Sequence, residues 1–394
     1  MNDFTYYAPT KVILGKGKVN SVGSELAKDG VKKVLLVSYG DENAPHLIGV
    51  VNSIREQVKK EGIEAYELMG IKPNPLLSTA QEGIDTVKAN GIDAVLAIGG
   101  GSVIDTAKCI VAGAVYDGDV WEFWEKTAVI KAALPLYVAC TISGTGSENN
   151  GNSVIINEAL GKKFLLTSPY LYPKTAIIDP ELQYGIPTKQ FAYNVSDACA
   201  HVMEHYFDGA DSMETSDAIA EALLRTLISE APKVIEDPMN YEARANIIWC
   251  AALALNGTPG IAGMGGNGGD WGSHGLDKGL AINHDTTHGM GLAILMPAWM
   301  KYVYKSDLPK FVRFAKNVFG ITEGTDEEKA LAGIAKLQEF YKSIGAPLTL
   351  KEVGITREDL GPIIKTICLL VPLSKNIQPL YEDDIAKIID IAFE

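Results

Sequence analysis

Five of the six histidines in this 394-residue chain fall in two short stretches of sequence. The first stretch contains Asp197 and His201, and the second runs from His274 to His288. Aspartate and histidine four residues apart on a helix project from the same face, one turn apart. Two histidines from the later stretch would complete a nitrogen and oxygen site of the kind that binds Fe²⁺ or Zn²⁺. The spacing therefore predicts a metal site, with a buried structural Asp–His pair as the alternative interpretation.

A glycine-rich turn follows a predicted buried strand at residues 94–98 and precedes a predicted helix at 103–113. Ser102 and Asp105 have the S-x-x-D spacing of a capping box, which predicts the helix start. Glycines let the backbone approach a ligand closely, and the free N–H groups of a helix start favour an anion such as a pyrophosphate. The turn therefore predicts a site for a phosphate-bearing cofactor, with a ligand-free strand-to-helix turn as the alternative.

A second polar segment follows another predicted strand, at residues 136–139. Its sequence at residues 141–148, Thr-Ile-Ser-Gly-Thr-Gly-Ser-Glu, combines hydroxyl side chains with glycines. Because open α/β sheets bind ligands outside the carboxyl ends of their strands, this segment is a second candidate cofactor loop. A polar loop without a ligand is the alternative, and the presence of two such loops after neighbouring strands favours the cofactor.

Short apolar runs alternate with helical segments over about the first 185 residues, which is typical of a parallel, doubly wound sheet. The predicted strands are 34–37, 63–68, 94–98 and 136–139, and the predicted helices are 48–61, 76–90 and 103–113. After Pro187 the sequence is rich in Ala, Leu, Ile and Glu, which predicts helices, among them 216–235 and 243–255. We therefore predict an α/β N-terminal domain over residues 1–185 and an all-α C-terminal domain over residues 186–394.

The formal net charge of −14 argues against nucleic acid or an anionic membrane as the main partner, because both require a basic surface. The five cysteines are scattered and form no CxxC pair, which indicates reduced intracellular thiols rather than a disulfide framework. The first residues lack the basic and apolar regions of a signal peptide, and no apolar stretch approaches the ~18 residues of a membrane span. We therefore expect a cytoplasmic protein with no membrane partner.

Taken together, the motifs resemble those of the iron-containing (group III) alcohol dehydrogenase family, over essentially the whole chain. Within that family, the segments 241–246 and 269–271 are similar to the butanol dehydrogenase branch. The motifs that carry the resemblance are Pro73-Asn74-Pro75, 98–105, 143–148, Ile178-Asp179-Pro180, Asp197-x3-His201 and His274-x13-His288.

The resemblance implies a fold of the dehydroquinate synthase type, in which a doubly wound parallel sheet domain is followed by an all-α domain. It implies reversible hydride transfer between a primary alcohol or aldehyde and NAD(P), with a metal as Lewis acid on the substrate oxygen. Fe²⁺ is the expected metal, with Zn²⁺ as the alternative, and a homodimer is the expected oligomer. The implied metal ligands are Asp197, His201, His274 and His288.

The resemblance also implies which residues bind the nucleotide. The glycine turn is expected at the pyrophosphate, the hydroxyl side chains of the second loop near the nicotinamide, and Lys163 near the ribose. Carboxylates after the predicted strand at 34–37 repel a 2′-phosphate, so Asp41 and Glu42 favour NAD(H) over NADP(H) unless both simply face solvent. The predicted cofactor-binding residues are Asp41, Gly99, Gly100, Gly101, Ser102, Asp105, Thr141, Ser143, Thr145 and Lys163.

One position departs from the family pattern. Members of the family usually carry a histidine four residues after the first histidine of the second ligand pair, whereas this chain has Lys278. A lysine there could hold a polar substrate, or carry a proton if its pKa is lowered. His284 is a second candidate for the proton relay. Lys278 and His284 are therefore the predicted catalytic residues, with a solvent-facing or activity-weakening lysine as the alternative.

Two other functions fit parts of the sequence. A reaction of the dehydroquinate synthase type would use NAD and Zn²⁺ on a phosphorylated sugar acid, and it would need a basic cluster for the phosphate. Lys162, Lys163 and Lys278 do not form a convincing cluster in the sequence. A metal- or nucleotide-binding protein without redox activity is the second alternative. Lys278 is the only residue that supports it. The sequence therefore favours hydride transfer.

Overall fold

The computed structural model describes residues 3–39, 44–209, 214–260 and 268–394 of the chain. The chain forms two compact units, one of Tyr7–Gly185 and the other of Ile186–Glu394 together with the residues before Tyr7. The first unit combines a parallel sheet with helices, and the described part of the second is helical. The predicted fold class is confirmed.

Six parallel strands form the sheet of the α/β unit, in the order β1-β8-β5-β4-β2-β3, and β6 and β7 form a separate antiparallel hairpin. The inner strands β4 and β5 are buried along their whole length. Strands covered on both faces need side chains that are apolar at every position, which explains their continuous apolar sequences. The strands are β1 (Lys11–Leu14), β2 (Lys33–Ser38), β3 (Glu64–Leu68), β4 (Ala94–Gly99), β5 (Leu136–Cys140), β6 (Asn152–Asn157), β7 (Lys162–Thr167) and β8 (Thr175–Ile178).

The helices of the α/β unit follow the strands along the chain. The predicted strands and helices are present, with their ends shifted by one or two residues at most positions. The sequence reasoning missed the β6–β7 hairpin and also β8, which lies inside the sheet between β1 and β5. The helices are α1 (Val22–Lys28), α2 (Ile48–Lys60), α3 (Leu77–Asn90), α4 (Gly101–Gly113) and α5 (Trp121–Trp124).

The second unit packs its helices around α10, which is apolar and buried along most of its length. Helices α6, α9, α12 and α14 all contact α10. Within the described ranges, no helix combines the length and the apolar character that a membrane crossing requires. The helices are α6 (Thr188–Tyr206), α7 (Glu214–Glu236), α8 (Tyr241–Ala254), α9 (Gly272–His284), α10 (His288–Val303), α11 (Leu308–Phe319), α12 (Asp326–Ser343), α13 (Arg357–Leu370) and α14 (Glu382–Phe393).

Two glycines bring the first turn of α10 into direct contact with the helices beside it. A Cβ atom on Gly289 would lie 2.0 Å from the carbonyl oxygen of Tyr193 on α6. A Cβ atom on Gly291 would lie 1.8 Å from Oδ1 of Asp277 on α9. Real Cβ atoms cannot approach so closely, so only glycine permits this packing at the helix start that carries His288.

Candidate metal centre and cofactor site

The two predicted cofactor loops lie at the switch point of the parallel sheet and beside it. β3 and β4 flank β2 on opposite sides, so the strand order reverses between β2 and β4. Tyr39 directly follows β2, and the glycine turn follows β4. Ligands of open α/β sheets bind in the crevice outside the carboxyl ends of the strands at such a point. The topology therefore places the glycine turn where a nucleotide is expected.

The glycine turn is packed so tightly that larger side chains would not fit. A Cβ atom on Gly100 would lie 2.9 Å from Cβ of Ile142, and one on Gly101 would lie 2.8 Å from the side chain of Thr145. The backbone N–H of Thr141 donates a hydrogen bond to the carbonyl of Gly99 over 3.0 Å. The structure thus brings the two predicted loops into contact with each other.

The start of α4 fits the phosphates of a nicotinamide cofactor. The helix begins at Gly101, and no described side chain caps its first turn. The N–H of Gly100 donates a hydrogen bond to the phenolic oxygen of Tyr39 over 3.2 Å. Uncapped amides at a helix start form a site for an anion. Sequence reasoning missed Tyr39, although its place directly after β2 was a signal.

The predicted capping box of Ser102 and Asp105 is wrong. Gly100 precedes the helix, and Asp105 lies in its second turn, where its carboxylate cannot return to the helix start. Its Oδ1 accepts a hydrogen bond from the hydroxyl of Ser147 over 2.6 Å, and its Oδ2 accepts one from the N–H of Val154 over 2.9 Å. Asp105 therefore links α4 to the second loop and to β6.

The hydroxyl side chains of the second loop lie in or near the interior of the unit. Thr141 is fully buried, and its Oγ1 has no hydrogen-bond partner among the described residues. Ser143 accepts a hydrogen bond from Nε2 of Gln183 over 2.6 Å. Oγ1 of Thr145 accepts the N–H of Ser147 over 3.3 Å. Thr141 therefore holds a buried hydroxyl that has no partner in the described part of the chain.

The last two predicted cofactor residues lie outside these loops. Lys163 stands on β7, where its Nζ donates a hydrogen bond to Oδ1 of Asn74 over 3.2 Å. Asn74 has a positive φ of 62° and belongs to the Pro-Asn-Pro motif. Asp41 lies outside the described residues. The nucleotide preference that it predicts therefore stays a prediction from sequence.

The predicted metal ligands converge in the helical unit. Asp197, His274 and His288 each offer one ligand atom, and these atoms lie within 4.8 Å of one another. Oδ1 of Asp197 lies 3.7 Å from Nε2 of His201 and 3.6 Å from Nε2 of His288. The ring centroids of His201 and His274 are 4.9 Å apart. Helices α6, α9 and α10 thus bring Asp197, His274 and His288 together, with His201 beside them.

Two of these ligand atoms are buried and have no partner among the described residues, namely Oδ1 of Asp197 and Nε2 of His274. A buried polar atom without a hydrogen bond costs free energy, and such atoms at one point indicate an absent ligand. One carboxylate and three imidazoles form a donor set that suits Fe²⁺ or Zn²⁺. The residues present therefore fit the predicted metal.

Two carboxylates orient the second pair of histidines. Oε1 of Glu204 lies 2.9 Å from Nδ1 of His274, and Oδ2 of Asp277 lies 2.6 Å from Nδ1 of His288. The same Oε1 accepts the hydroxyl of Ser273 and the N–H of His274, so it acts as an acceptor. The protons therefore belong on Nδ1, which leaves the Nε2 lone pairs for a metal. Glu204 was expected as a hydrogen-bonding partner, whereas Asp277 was missed.

Burial lowers the pKa of His201 and of His274 and so favours their uncharged forms. It lowers the pKa of His201 to about 4, against the nearby carboxylate of Asp197. It lowers the pKa of His274 to about 3, and the positive charges of His288 and Lys278 add to this effect. Neutral imidazole is the form that binds metals, so these two side chains are ready to act as ligands near neutral pH.

The tripeptide Gly269-Asp270-Trp271 fixes the start of α9. Asp270 accepts hydrogen bonds from the N–H groups of Gly272 and Ile377 and from Nδ2 of Asn376. Burial and, to a smaller extent, the nearby charge of Glu204 raise the pKa of Asp270 to about 7. Trp271 adopts a left-handed φ of 61°, which is unusual for a large side chain and marks a tightly held turn. These bonds hold the turn that precedes His274.

Two family models match the chain, one in each half. Residues 9–180 match the model described as iron-containing alcohol dehydrogenase, and residues 191–393 match the model of the family's C-terminal part. The chain belongs to the iron-containing alcohol dehydrogenase family.

The members of this family that resemble the chain include enzymes of both nucleotide types. The chain is 39% identical to the probable NADH-dependent butanol dehydrogenase 2 of Bacillus subtilis, over 99% of both chains. It is 32% identical to the NADPH-dependent aldehyde reductase of Escherichia coli, over 93% of both chains. The solved structure of NADH-dependent butanol dehydrogenase A from Thermotoga maritima is 42% identical, matches with a TM-score of 0.93, and covers 100% of this chain and 99% of its own.

Family membership confirms the predicted class of enzyme, a metal-dependent NAD(P)-linked alcohol dehydrogenase, while the individual site residues stay predictions. Lys278 lies one turn after His274 on α9 and is exposed. His284 lies at the exposed end of α9, where its Nε2 is 3.8 Å from Oδ1 of Asp359 on α13. His205 is buried one turn after His201, with its ring centroid 5.2 Å from that of Trp271. The structure thus keeps Lys278 beside the ligands and pairs His284 with another helix.

Replacing Glu204 by glutamine should weaken metal binding. The neutral amide is a poorer acceptor for Nδ1–H of His274, so we expect the dissociation constant for Fe²⁺ or Zn²⁺ to rise by about 10–100-fold. Chelator competition on the purified protein measures this constant. Glu221→Gln is the matched control, because Glu221 is also buried and hydrogen-bonded, to Tyr206 and Arg313. Equal metal affinity in both variants would contradict the orienting role of Glu204.

Replacing Glu148 by glutamine should change how stability depends on pH. Burial raises the pKa of Glu148 from 4.5 to about 7. Between these values the folded protein holds a proton that the unfolded chain has released, so stability falls as the pH rises through this window. Relative to Glu148→Gln, the parent should lose up to about 3 kcal/mol of unfolding free energy across it.

Denaturant unfolding at several pH values between about 5 and about 8 tests this expectation. Glu125→Gln is the control, because the hydrogen bond from Lys162 lowers the pKa of Glu125 and keeps it ionised throughout. If the parent and Glu148→Gln have parallel profiles, Glu148 does not have a raised pKa.

Proposed function

We propose that this alcohol dehydrogenase reduces short-chain primary aldehydes such as butanal with NADH, and oxidises the corresponding alcohols, in the cytoplasm and as a homodimer. The observation that carries the proposal is the cluster of Asp197, His274 and His288, which has His201 beside it and contains buried ligand atoms without a partner among the described residues. The names of the Bacillus and Thermotoga relatives support butanol and NADH as the substrate and the nucleotide.

The helical unit supplies the residues that hold the metal. A divalent ion bound there supplies Lewis acidity to an alcohol or aldehyde oxygen. Asp197 contributes the negative charge of the set, and the three histidines contribute neutral nitrogen ligands. Glu204 and Asp277 keep the Nδ1 protons in place, so that each Nε2 stays directed at the same point. The ring of Trp271 packs against His201 and His274 and shields them from water.

The α/β unit supplies the residues that bind the nucleotide. A bound nicotinamide accepts or donates the hydride. Gly99, Gly100, Gly101 and Ser102 offer backbone amides and space for the pyrophosphate. The hydroxyls of Thr141, Ser143 and Thr145 lie on the adjoining loop, and Asp105 and Lys163 complete the predicted set.

The alternative reaction of the dehydroquinate synthase type lacks support in the structure. It needs free lysines to bind a substrate phosphate. Lys162 forms an ion pair with Glu125 over 3.0 Å, and Lys163 donates to Asn74. Lys162 and Lys163 are thus both engaged within the protein, which favours hydride transfer over the alternative.

The assay that tests the proposal follows NADH and NADPH oxidation with butanal, using protein purified without oxygen and reloaded with Fe²⁺ or Zn²⁺. We expect turnover with NADH that depends on the added metal. His274→Ala should lose both metal and turnover, because it removes a ligand. His284→Ala is the control for metal content, because His284 faces Asp359. An active His274→Ala protein would refute the metal assignment, and an enzyme that prefers NADPH would refute the nucleotide.

We further propose that Lys278 carries the proton to or from the substrate oxygen, with His284 as the weaker candidate. Lys278→Met should then lower kcat by about 100-fold and flatten its pH dependence. Lys278→His restores the residue that the family usually has, and should recover activity with a pH limb nearer to about 6.5. Unchanged kcat and pH profile in Lys278→Met would leave the lysine without a catalytic role. The same profile for His284→Ala tests the second candidate.

A further inference from the structure

The α/β unit contains a buried lysine to which the proposed function gives no role. Lys108 lies on α4, two turns after the helix start, and has no exposed surface. Its ammonium group donates to Oγ of Ser147 over 2.8 Å, to Oδ1 of Asn150 over 3.1 Å and to the carbonyl of Asn152 over 2.7 Å. An ammonium group has three N–H donors, so these bonds occupy all of them.

Ser147 connects this lysine to the carboxylate of Asp105. The Ser147 hydroxyl accepts from Lys108 and donates to Oδ1 of Asp105 over 2.6 Å. Oδ2 of Asp105 accepts the N–H of Val154 on β6. Lys108 and Asp105 lie one turn apart on α4. Through them, α4 binds both the end of the second loop (residues 141–148, called the hydroxyl-rich loop below) and the strand β6 that follows it.

The same helix and loop form the predicted cofactor surface. Gly101 begins α4 and contacts the side chain of Thr145, which lies two residues before Ser147. A shift of the loop relative to α4 would separate the hydroxyl groups from the amides at the helix start. Burial lowers the pKa of Lys108 to about 8, and the negative charge of Asp105 opposes this effect. The charged lysine therefore depends on the polar groups that surround it.

We propose that Lys108, acting through Ser147, is a positioning residue for the nicotinamide cofactor. It holds the hydroxyl-rich loop in place beside the start of α4, where the phosphates of the cofactor are expected to bind. It does not contact the cofactor, because its three donors are already occupied within the protein. A binding surface that is already fixed loses less conformational entropy when the ligand binds, so its affinity for the ligand is higher. This inference rests on the proposed function.

The test measures NADH binding by the metal-loaded enzyme, using the fluorescence of NADH, together with steady-state kinetics and thermal unfolding. Lys108→Met should raise the Kd and the KM for NADH by about tenfold or more, while kcat at saturating NADH changes less than about threefold. Ser147→Ala removes only the connecting hydroxyl and should raise the Kd in the same direction by a smaller factor.

Lys310→Met is the matched control. Lys310 is a buried lysine of the helical unit that pairs with Asp217 over 2.6 Å. Its loss should lower Tm and leave the Kd for NADH unchanged.

Unchanged NADH affinity in Lys108→Met, with a loss of Tm like that of the control, would overturn the positioning role. If Lys108→Met does not fold, Ser147→Ala decides: an unchanged Kd overturns the proposal and a raised Kd supports it. Failure of the parent itself to bind NADH is a different result, because it overturns the proposed function.

Discussion

The metal centre depends on two hydrogen bonds between buried carboxylates and the Nδ1 atoms of His274 and His288. A neutral imidazole carries one proton, and the nitrogen that carries it cannot bind a metal. Glu204 and Asp277 fix that proton on the side away from the cluster. These hydrogen bonds require accurate relative positions of three helices, because Glu204 belongs to α6, Asp277 to α9 and His288 to α10. The glycines at the start of α10 and the strained turn at Trp271 follow from this requirement.

The α/β unit also contains a buried carboxylate that accepts hydrogen bonds from other segments, but there it joins a loop and a strand to a helix. A carboxylate on α4 holds a hydroxyl and a backbone N–H that belong to other segments of the chain. Buried charge is tolerable only when its hydrogen bonds are satisfied, so each such group forces particular partners into place. In both units, buried carboxylates fix the positions of the polar groups that hydrogen-bond to them.

The Asp197–His201 pair and most of the sheet could be predicted because each depends on local spacing. Asp197 and His201 are four apart on one helix, and the inner strands are continuous apolar runs. The glycine turn was recognisable because it stands between a strand and a helix. β8 was missed because it has four residues in a proline-rich stretch, and the β6–β7 hairpin was missed because β7 is largely exposed and begins with two lysines.

The partners of the site residues could not be predicted, because the fold decides which distant segments meet. The sequence near Lys108 does not predict that Ser147, Asn150 and Asn152 surround it. The capping-box error has the same origin. The S-x-x-D spacing fits a helix start, yet a carboxylate inside a helix can instead bind a neighbouring segment, and Asp105 does so. His284 illustrates the point at the surface, where α13 provides its partner.

The arrangement of the ligands on α6, α9 and α10 also determines when the metal can enter. The four side chains come from segments far apart in sequence, so they meet only after the helical core has formed. An ion cannot nucleate this fold, as it does in small zinc modules whose ligands lie close together. A metal bound by these four residues would therefore be acquired by a finished protein, and the ions present in its surroundings would decide which one is bound. His288, whose side chain is 44% exposed while that of Asp197 is 6% exposed, is the most accessible of the four proposed ligands.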